Sequence, residues 1–309
     1  MTGIWRLMLG PGSAHASECF AGGFIGTSYG IDKDLSSDLR DDWRAFNQKY
    51  IPVFLGLHPN KTRIGAGLAC GAIWTVSRAI QVGDTVLSTD GKGQYRVGTV
   101  TGDYAYHAGR PLPHRRAVTW GASIDRAAFS EPLRNALGSM GTVVNLAGYA
   151  GEIEGVIGGA VGPTIVVDDE SVEDPVAFAM ERHLEDFLVK NWVYTELGKG
   201  YDIYEEEPGK PLGQQFPTDT GPLDILAISK DRKTLLVVEL KRGRASDTVV
   251  GQTLRYMGYV DEMLANPDQS VRGAIVAFEG DDRIKRALRM TPAIELYLYK
   301  IDFKLARSE

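Results

Sequence analysis

The sequence has few cysteines, few histidines and no long apolar run. Its 309 residues include two cysteines and five histidines, and neither type occurs at the spacing of a disulfide framework or of a metal cluster. No apolar stretch reaches the roughly 20 residues that a membrane-spanning helix needs. No basic segment followed by an apolar one begins the chain, as a signal peptide would. These absences predict a cytoplasmic protein that contacts no membrane.

The overall charge of −6 hides an uneven distribution along the chain. Residues 1–150 contain 15 basic and 11 acidic side chains, a formal charge of +4, and the rest contains 19 basic and 29 acidic side chains, a charge of −10. The first half is therefore compatible with a polyanionic partner such as a nucleic acid. Acidic residues of the second half could include metal ligands, which repel phosphate until a cation is bound.

Two domains are predicted from the length of the chain and from a change in its composition. A segment rich in glycine and then in acidic residues, 146–175, separates two differently patterned halves. We therefore predict a first domain over residues 1–150, a linker over residues 151–174 and a second domain over residues 175–309.

The first half alternates short strands with glycine turns. Residues 36–50 and 65–80 have the apolar pattern of helices, whereas most of the remaining sequence alternates apolar with polar residues, as strands do. The segments with the strand pattern are 3–12, 22–30, 83–109 and 115–121. The first half is therefore predicted to be an α+β domain, a small β-barrel with a few helices.

The second half has the order helix, strand, strand, helix, strand, followed by one more helix and strand. The first helix begins after Asp174, and its apolar stripe contains Glu181, a carboxylate that is costly there unless it is paired or bound to a cation. Residues 204–210 are predicted to be a solvated loop. This order predicts an α/β domain with one mixed sheet flanked by helices. Its main elements are strands over residues 221–229, 234–243 and 271–278 and a helix over residues 247–264.

The strand over residues 234–243 ends with an acid and a base two positions apart. Glu239 and Lys241 point to the same face, because side chains alternate along a strand. A short turn can bring Asp224 of the preceding strand alongside Glu239. Two carboxylates at one site repel each other unless a cation lies between them, and Mg²⁺ prefers such oxygen ligands. A surface ion pair is the alternative for Glu239 and Lys241.

This constellation has the residue types that phosphodiester hydrolysis needs. A metal ion held by Asp224 and Glu239 would bind a phosphate oxygen and lower the pKa of bound water. Lys241, on the same face, could orient that water and offset negative charge on the phosphate. The three residues are therefore predicted to form one catalytic site.

The spacing of these three residues resembles that of the PD-(D/E)xK nuclease superfamily, and the surrounding sequence resembles its NucS branch, which is related to the RecB-type nucleases. The resemblance is carried by GPLDILAIS, by TLLVVELKRGRASDTVVGQTLRYMGYV and by VRGAIVAF, and it covers about residues 175–303. It implies a DNA endonuclease that depends on Mg²⁺, with Mn²⁺ as a substitute. Leu223 stands where this family usually has proline.

The resemblance also implies roles for individual residues. Glu181 matches the acid of the first helix, although Glu185, one turn later, is an alternative. Gln252 and Tyr256 match the last motif and share one helix face; simple packing is the alternative for this pair. The implied catalytic residues are Asp224, Glu239, Lys241, Glu181, Gln252 and Tyr256, and the implied metal ligands are Asp224, Glu239 and Leu240.

The first half resembles a different group, the PUA/EVE-like modules of Mrr-type and McrB-type modification-dependent restriction enzymes. The resemblance is carried by WRLMLGPG, GGFIGTSYG, IQVGDTVLS, YRVGTVTGDYAYH and HRRAVTWG, over about residues 3–122. It implies a barrel that holds a flipped base in an aromatic cage, where stacking supplies affinity and polar groups read the base edge. An aromatic core of the barrel is the alternative. Candidate cage residues are Trp5, Ile25, Tyr29, Trp74, Ser77, Tyr104, Tyr106 and Trp120.

Several arginines are candidates for contacts with the phosphate backbone. Arg242 and Arg244 follow the predicted triad directly, and a cluster of arginines in the first half could act in the same way. Solvated charge is the alternative for Arg242 and Arg244, and protection of a strand edge by charge is the alternative for Arg115 and Arg116. The candidates in the first half are Arg63, Arg78, Arg115 and Arg116.

Together these features predict a Mg²⁺-dependent endonuclease for double-stranded DNA, of the modification-dependent restriction type used in antiphage defence. Its first domain would recognise a modified base and its second would cut the DNA. A cut in both strands needs two active sites, so a homodimer is expected. A NucS-like repair endonuclease for mismatched or branched DNA is one alternative, and a non-catalytic reader of modified nucleic acid is another.

Overall fold

The computed structural model describes residues 2–39, 42–139, 141–158, 184–207 and 210–300. The chain divides into two compact units. The first unit comprises Met1–Ala179 together with Glu205–Leu212, and the second comprises Met180–Tyr204 together with Gly213–Glu309. No helix in the described ranges is long and apolar enough to cross a membrane.

The first unit is built on one six-stranded sheet. Its strands are β1 (Ile4–Leu7), β2 (Phe24–Thr27), β3 (Thr85–Thr89), β4 (Gln94–Tyr106), β5 (His114–Asp125) and β6 (Val143–Asn145). They lie in the order β2-β5-β4-β3-β1-β6, and β1 and β3 are parallel whereas the other pairs are antiparallel.

The two ends of this sheet approach each other. The hydroxyl of Tyr29, just after β2, hydrogen-bonds the hydroxyl of Thr142, just before β6. Among the described residues, however, no strand pairing joins β2 to β6. The α+β composition agrees with the prediction, whereas closure of the sheet into a barrel remains an expectation.

Helices cover both faces of this sheet. They are α1 (Ala16–Gly22), α2 (Trp43–Leu57), α3 (Arg63–Trp74), α4 (Glu131–Leu137) and α5 (Ala150–Ile157), and a π-helical turn, Thr75–Ala79, continues α3. The side chain of Asp42 accepts hydrogen bonds from the first turn of α2, and the side chain of Thr62 does the same for α3. The Asp42 cap explains why α2 begins at Trp43, later than residue 36 where the sequence predicts its start.

The sheet separates two apolar cores. Val86 and Leu87 are neighbours in β3 and both are fully buried, but they belong to different clusters, because successive side chains of a strand point to opposite faces. Ile153 of α5 lies in the same cluster as Leu87. The predicted linker at residues 151–174 therefore begins inside a helix that packs on the first unit, and residues 159–174 lie outside the described ranges.

Two of the candidate phosphate-binding arginines are parts of this interior. The guanidinium of Arg116 in β5 donates to the main-chain oxygens of Val76, 2.8 Å away, and Ser77, 2.9 Å away. Its side chain is 4% exposed, and burial lowers the pKa of the guanidinium. Arg116 thus joins β5 to the π-helical turn, which corrects the expectation that it contacts a phosphate.

Arg115 has a similar packing role at the neighbouring position. Its Nε lies 2.9 Å from the main-chain oxygen of Leu112, and its Nη2 lies 2.6 Å from that of Pro111. The guanidinium also stacks over the ring of Phe24, 3.8 Å from its centroid. With a side chain that is only 11% exposed, Arg115 stabilises a loop rather than presenting its charge to solvent.

The second unit contains one mixed sheet. Its strands are β7 (Tyr201–Ile203), β10 (Gln214–Thr218), β11 (Gly221–Ser229), β12 (Thr234–Ala245), β13 (Ser270–Gly280) and β14 (Ile294–Leu298). The two strands between β7 and β10, β8 (Glu205–Glu207) and β9 (Lys210–Pro211), form a separate hairpin that is grouped with the first unit. The order is β10-β11-β12-β13-β14, and β7 also pairs with β11. The pairs of β12 with β13 and of β13 with β14 are parallel, and the others are antiparallel.

Buried strands and flanking helices confirm the predicted α/β character of this unit. Residues 235–240 of β12 are buried in succession, as is typical of a strand covered on both faces. The helices are α6 (residues 184–190), α7 (Glu196–Gly200), α8 (Asp247–Tyr259) and α9 (Asp282–Arg289). Residues 204–210, predicted to be a loop, contain instead the short strand β8 and part of β9.

Replacing Arg116 by leucine is expected to destabilise the first unit by roughly 3 kcal/mol, because each buried carbonyl left unpaired costs about 1–3 kcal/mol. Urea denaturation of the full chain, followed by circular dichroism, measures this change. Arg110→Leu is the matched control, since Arg110 is exposed and its replacement should change the free energy by no more than about 0.5 kcal/mol. An Arg116→Leu protein of normal stability that binds DNA poorly would restore the phosphate-contact assignment.

Candidate functional site

Asp224 and Glu239 lie opposite each other at one end of the hairpin formed by β11 and β12. The strands pair Ile225 with Val238, and the same register continued by one step places Asp224 against Glu239. Opposed residues of an antiparallel pair point to the same face, with Cβ atoms about 4.5–5.5 Å apart. The strand register therefore brings these two carboxylates to the same face of the sheet.

The Asp224 carboxylate is also tied to the next residue of β12. Its Oδ2 accepts a hydrogen bond of 2.8 Å from the main-chain nitrogen of Leu240. This bond holds the carboxylate beside the main chain that links Glu239 to Lys241, so that the three predicted triad residues and Leu240 are brought to one place.

Lys241 reaches back to Glu239 on the same face of β12. Its Nζ lies 3.2 Å from Glu239 Oε1. The side chain of Glu239 is 3% exposed, whereas that of Lys241 is 29% exposed. The acid is therefore enclosed, and the ammonium group covers it from the side that remains open to solvent.

A second acid, Glu185 of α6, is linked to Asp224 through a glutamine. Glu185 is buried, with 1% of its surface exposed, and its Oε2 accepts a hydrogen bond of 2.6 Å from Gln215 Nε2. The same nitrogen lies 3.2 Å from Asp224 Oδ1. Glu181, the first choice for the helix acid, lies outside the described residues. Glu185, the alternative helix acid, is thus one glutamine away from the triad.

Gln252 and Tyr256 of α8 border the same acids. The Tyr256 hydroxyl donates to the main-chain oxygen of Pro222, 3.1 Å away and two residues before Asp224. Burial raises the pKa of this hydroxyl, and the negative charges of Glu239 and Asp224 raise the pKa further. The hydrogen bond with Gln252 lowers the pKa but does not reverse the shift. Tyr256 is thus a neutral donor that fixes the start of β11.

The remaining charges near the triad are arranged less favourably for binding phosphate. Arg244 pairs with Glu279, with its Nε and Nη2 at 3.2 and 3.1 Å from Glu279 Oε2. Arg242 lies where the pairing of β12 with β13 shifts register, between Lys241 and Arg244, and its main-chain oxygen accepts a hydrogen bond from the Tyr299 hydroxyl. In the first unit, Arg63 begins α3 and Arg78 lies in the π-helical turn, and both are partly exposed.

Tyr104 and Tyr106 are the two cage candidates that the described ring contacts bring together. Both rings contact His114, with centroid distances of 6.0 and 5.7 Å. Tyr104 also hydrogen-bonds His114 Nδ1 at 3.0 Å, and the Tyr106 hydroxyl donates to Asp32 at 2.5 Å. They form a compact aromatic group at one end of the β4–β5 pair.

The other cage candidates lie in separate contacts. Trp74 stacks on Trp43, with centroids 5.5 Å apart and planes at 16°, and Trp120 packs edge-on against Phe20 at 5.0 Å. Each of the remaining candidates has a different partner. Trp5 donates to Asp84, and Tyr29 packs against Phe54. Ser77 is buried beside Arg116, and Ile25 is in the core. The ring contacts of the described residues therefore connect the candidates in several small groups and do not join all of them.

Sequence reasoning missed Gln214 and Gln215 of β10. Their segment contains no motif, and no periodic pattern distinguishes these glutamines from solvated ones. Trp43 was missed as well, although it shares a stack with Trp74. The conformation that brings the two glutamines to Glu185 depends on a positive φ angle of 49° at Gln215, which composition does not reveal.

The donor atoms at this site suit a hard divalent cation. No group of three or more His, Cys, Asp or Glu residues within the described ranges is arranged as a metal cage. Mg²⁺ does not need one, because proteins usually bind it through one or two carboxylates while water and substrate phosphates complete its octahedron. Asp224, Glu239 and the main-chain oxygen of Leu240 are oxygen donors of that kind.

Comparison with known families gives a separate result for each half of the chain. Residues 180–292 match the C-terminal domain of the endonuclease NucS, and residues 5–147 match a domain of unknown function, DUF8426. The first of these matches supports the expected likeness of the second half to NucS-like DNA endonucleases. A search of curated proteins found no match.

Solved structures of NucS-like enzymes are similar at low identity. The crystal structure of a repair endonuclease from Pyrococcus abyssi is 18% identical, with 71% of this chain and 67% of that chain covered and a TM-score of 0.30. A complex of EndoMS with double-stranded DNA is 15% identical, with 71% and 66% covered and a TM-score of 0.32. Apo EndoMS is 16% identical, with 71% and 65% covered and a TM-score of 0.31.

Replacing Tyr256 by phenylalanine is expected to lower the free energy of unfolding by about 1–2 kcal/mol, because each lost hydrogen bond contributes about 1 kcal/mol and the ring packing is kept. Chemical denaturation of the full chain measures this loss. Tyr194 is 85% exposed, and the control Tyr194→Phe should therefore change stability by less than about 0.5 kcal/mol. Equal stability of the two variants would show that the contact with Pro222 does not hold β11 in place.

Proposed function

We propose that the chain is a Mg²⁺-dependent endonuclease for double-stranded DNA whose active site lies in the second unit. One observation carries the proposal: Asp224, Glu239 and Lys241 meet at the end of the β11–β12 hairpin, within the region that matches the NucS endonuclease domain. Two acids and one base at a strand end are the groups that metal-assisted hydrolysis of a phosphodiester requires.

The cation would be held by Asp224, Glu239 and the main-chain oxygen of Leu240. When bound, it would polarise the phosphate and lower the pKa of a coordinated water. Asp224 is already oriented for this role by the main-chain nitrogen of Leu240, so little reorganisation is needed when the ion arrives.

Lys241 would act on the phosphate and on the attacking water. Its ammonium group is kept beside Glu239 and remains partly open to solvent, where a DNA strand can reach it. From there it can donate hydrogen bonds to the water and stabilise the negative charge that develops on the phosphate. Glu239 fixes the lysine side chain, and Tyr256 fixes the strand that carries Asp224.

The first unit would select the DNA. We assign it the recognition of a modified base, with Tyr104, Tyr106 and the Trp43–Trp74 stack as the aromatic surfaces on which a base could stack. The excess of basic residues in residues 1–150 supports contact with a polyanion. The function would then be modification-dependent restriction by a homodimer that cuts both strands.

A repair endonuclease is the second candidate function. The match of residues 180–292 to the NucS endonuclease domain favours it. In that case the substrate would be a mismatched or branched duplex, and the first unit would recognise a distortion of the helix. The third alternative, a non-catalytic reader, requires that the assembled triad has no chemical role.

Replacing Lys241 by alanine is expected to reduce DNA cleavage by about 10²–10³-fold, because the variant loses a charged donor placed at the reacting phosphate. The affinity for DNA should change little, since one phosphate contact is a small part of the total. Cleavage of a labelled duplex in Mg²⁺ measures the first quantity, and a mobility shift in Ca²⁺ measures the second.

Lys230→Ala is the matched control for that experiment. Lys230 lies at the other end of β11, is 53% exposed in its side chain and pairs with Asp202, so its loss should leave both cleavage and binding unchanged. Cleavage by Lys241→Ala at the rate of the control would exclude the proposed triad. The non-catalytic reader would then be favoured, provided that DNA binding persists.

A panel of duplexes separates restriction from repair. Plasmids that carry cytosine, 5-methylcytosine, 5-hydroxymethylcytosine or glucosylated bases are digested with and without Mg²⁺, beside oligonucleotides that carry mismatches or branches. We expect cutting of modified DNA that requires Mg²⁺ and spares the unmodified plasmid. Preferential cutting of mismatched or branched duplexes would replace restriction with repair as the function.

A further inference from the structure

Gln215 interrupts the regular geometry of β10. Its φ angle is +49°, a left-handed conformation that is uncommon for residues other than glycine. On either side, Gln214 pairs with Ile225 and Phe216 pairs with Leu223, so Gln215 lies at the position that faces Asp224. The distortion is therefore located directly opposite the predicted metal ligand.

This distortion brings two consecutive side chains to the same acid. In a regular strand, Gln214 and Gln215 would point to opposite faces. Here Gln214 Nε2 lies 2.7 Å from Glu185 Oε1, and Gln215 Nε2 lies 2.6 Å from Glu185 Oε2. Each oxygen of the buried carboxylate thus receives one amide.

Gln215 differs from Gln214 in its second hydrogen bond. An amide nitrogen has two hydrogens to donate, and the second one of Gln215 goes to Asp224 Oδ1 at 3.2 Å. The second one of Gln214 goes to Asp186 at 3.0 Å. Gln215 therefore connects Glu185 to the triad, whereas Gln214 connects it to Asp186.

The Asp224 carboxylate is consequently held on both sides. Gln215 binds Oδ1, and the main-chain nitrogen of Leu240 binds Oδ2. A carboxylate has about four lone-pair sites, and these two donors, one on each oxygen, fix its plane. Loss of Gln215 would remove the donor to Oδ1 and keep the bond from Leu240 to Oδ2.

We propose that Gln215 is the positioning residue for the metal ligand Asp224, and that Glu185 acts on the site through Gln215 rather than by touching the cation. This inference rests on the proposed function. Outer partners of metal ligands typically contribute about 10–100-fold to metal affinity or activity, and Gln215 has the position of such a partner.

The test uses Gln215→Gly in the full chain. Glycine adopts a positive φ without strain, so the variant keeps the backbone turn and removes only the amide. Titration calorimetry with Mg²⁺ alone, without DNA, measures the dissociation constant. We expect it to rise about 10–100-fold; relief of the left-handed backbone strain offsets part of the stability that is lost when Glu185 loses this donor. Gln215→Met, which keeps the length but not the donors, should show the same weakening and serves if the glycine variant fails to fold.

Gln214→Ala is the matched control, because it removes the neighbouring amide without touching Asp224. Its Mg²⁺ affinity should stay within about threefold of the unmodified chain, below the range given for outer partners of a metal ligand. Unchanged affinity in Gln215→Gly, or equal loss in Gln214→Ala, overturns the role of Gln215 even if the unmodified chain binds Mg²⁺ and cuts DNA. If the unmodified chain neither binds Mg²⁺ nor cuts DNA, the proposed function itself is wrong. Failure of the role of Gln215 is thereby distinguished from failure of the proposed function.

Discussion

The antiparallel register of β11 and β12 is the constraint on which the site depends. A slip of one residue would move every side chain of a strand to the other face, and Asp224 would then point away from Glu239. The apolar runs of both strands resist such a slip, because residues that are now buried would be exchanged for charged ones. The turn at the far end gives a second restraint. There, Lys233 N lies 3.0 Å from Asp231 Oδ1 and Thr234 N lies 2.9 Å from Ser229 Oγ.

Burial of the acids at the other end of this hairpin has an electrostatic cost that the neighbouring groups must offset. A carboxylate removed from water requires donors or an opposite charge. Lys241 supplies the charge for Glu239, and two glutamine amides supply donors for Glu185. The site is thus a set of enclosed acids whose partners are either charged, like the lysine, or neutral, like the amides. Neutral partners leave the net negative charge in place, and this charge is what attracts a divalent cation.

The sequence revealed the parts of the site that depend on strand and helix periodicity. Glu239 and Lys241 share a face because strands have a period of two residues, and Gln252 and Tyr256 share one because helices repeat every three to four. The choice between Glu181 and Glu185 could not be made in this way, since residues four apart lie on the same helical face. Arg116 could not be placed correctly from the sequence either. A charged residue in a strand is predicted to be exposed, and only the structure shows the carbonyls that it binds. The aromatic candidates in the first half failed to form one group for a related reason, as side-chain contacts across a sheet depend on register and curvature.

The left-handed conformation of Gln215 in β10 could not be predicted from the sequence, although this residue contacts the site directly. A non-glycine residue in this conformation costs of order 1–3 kcal/mol and persists only where the surroundings stabilise it. At Gln215 the stabilising contacts are hydrogen bonds to two acidic side chains, both of which would be harder to bury without them. A regular strand would direct one of the two glutamines away and leave Glu185 with a single amide. The strain at Gln215 is therefore offset by the burial of the acids that it binds, which explains why the edge strand β10 has a distorted position opposite Asp224.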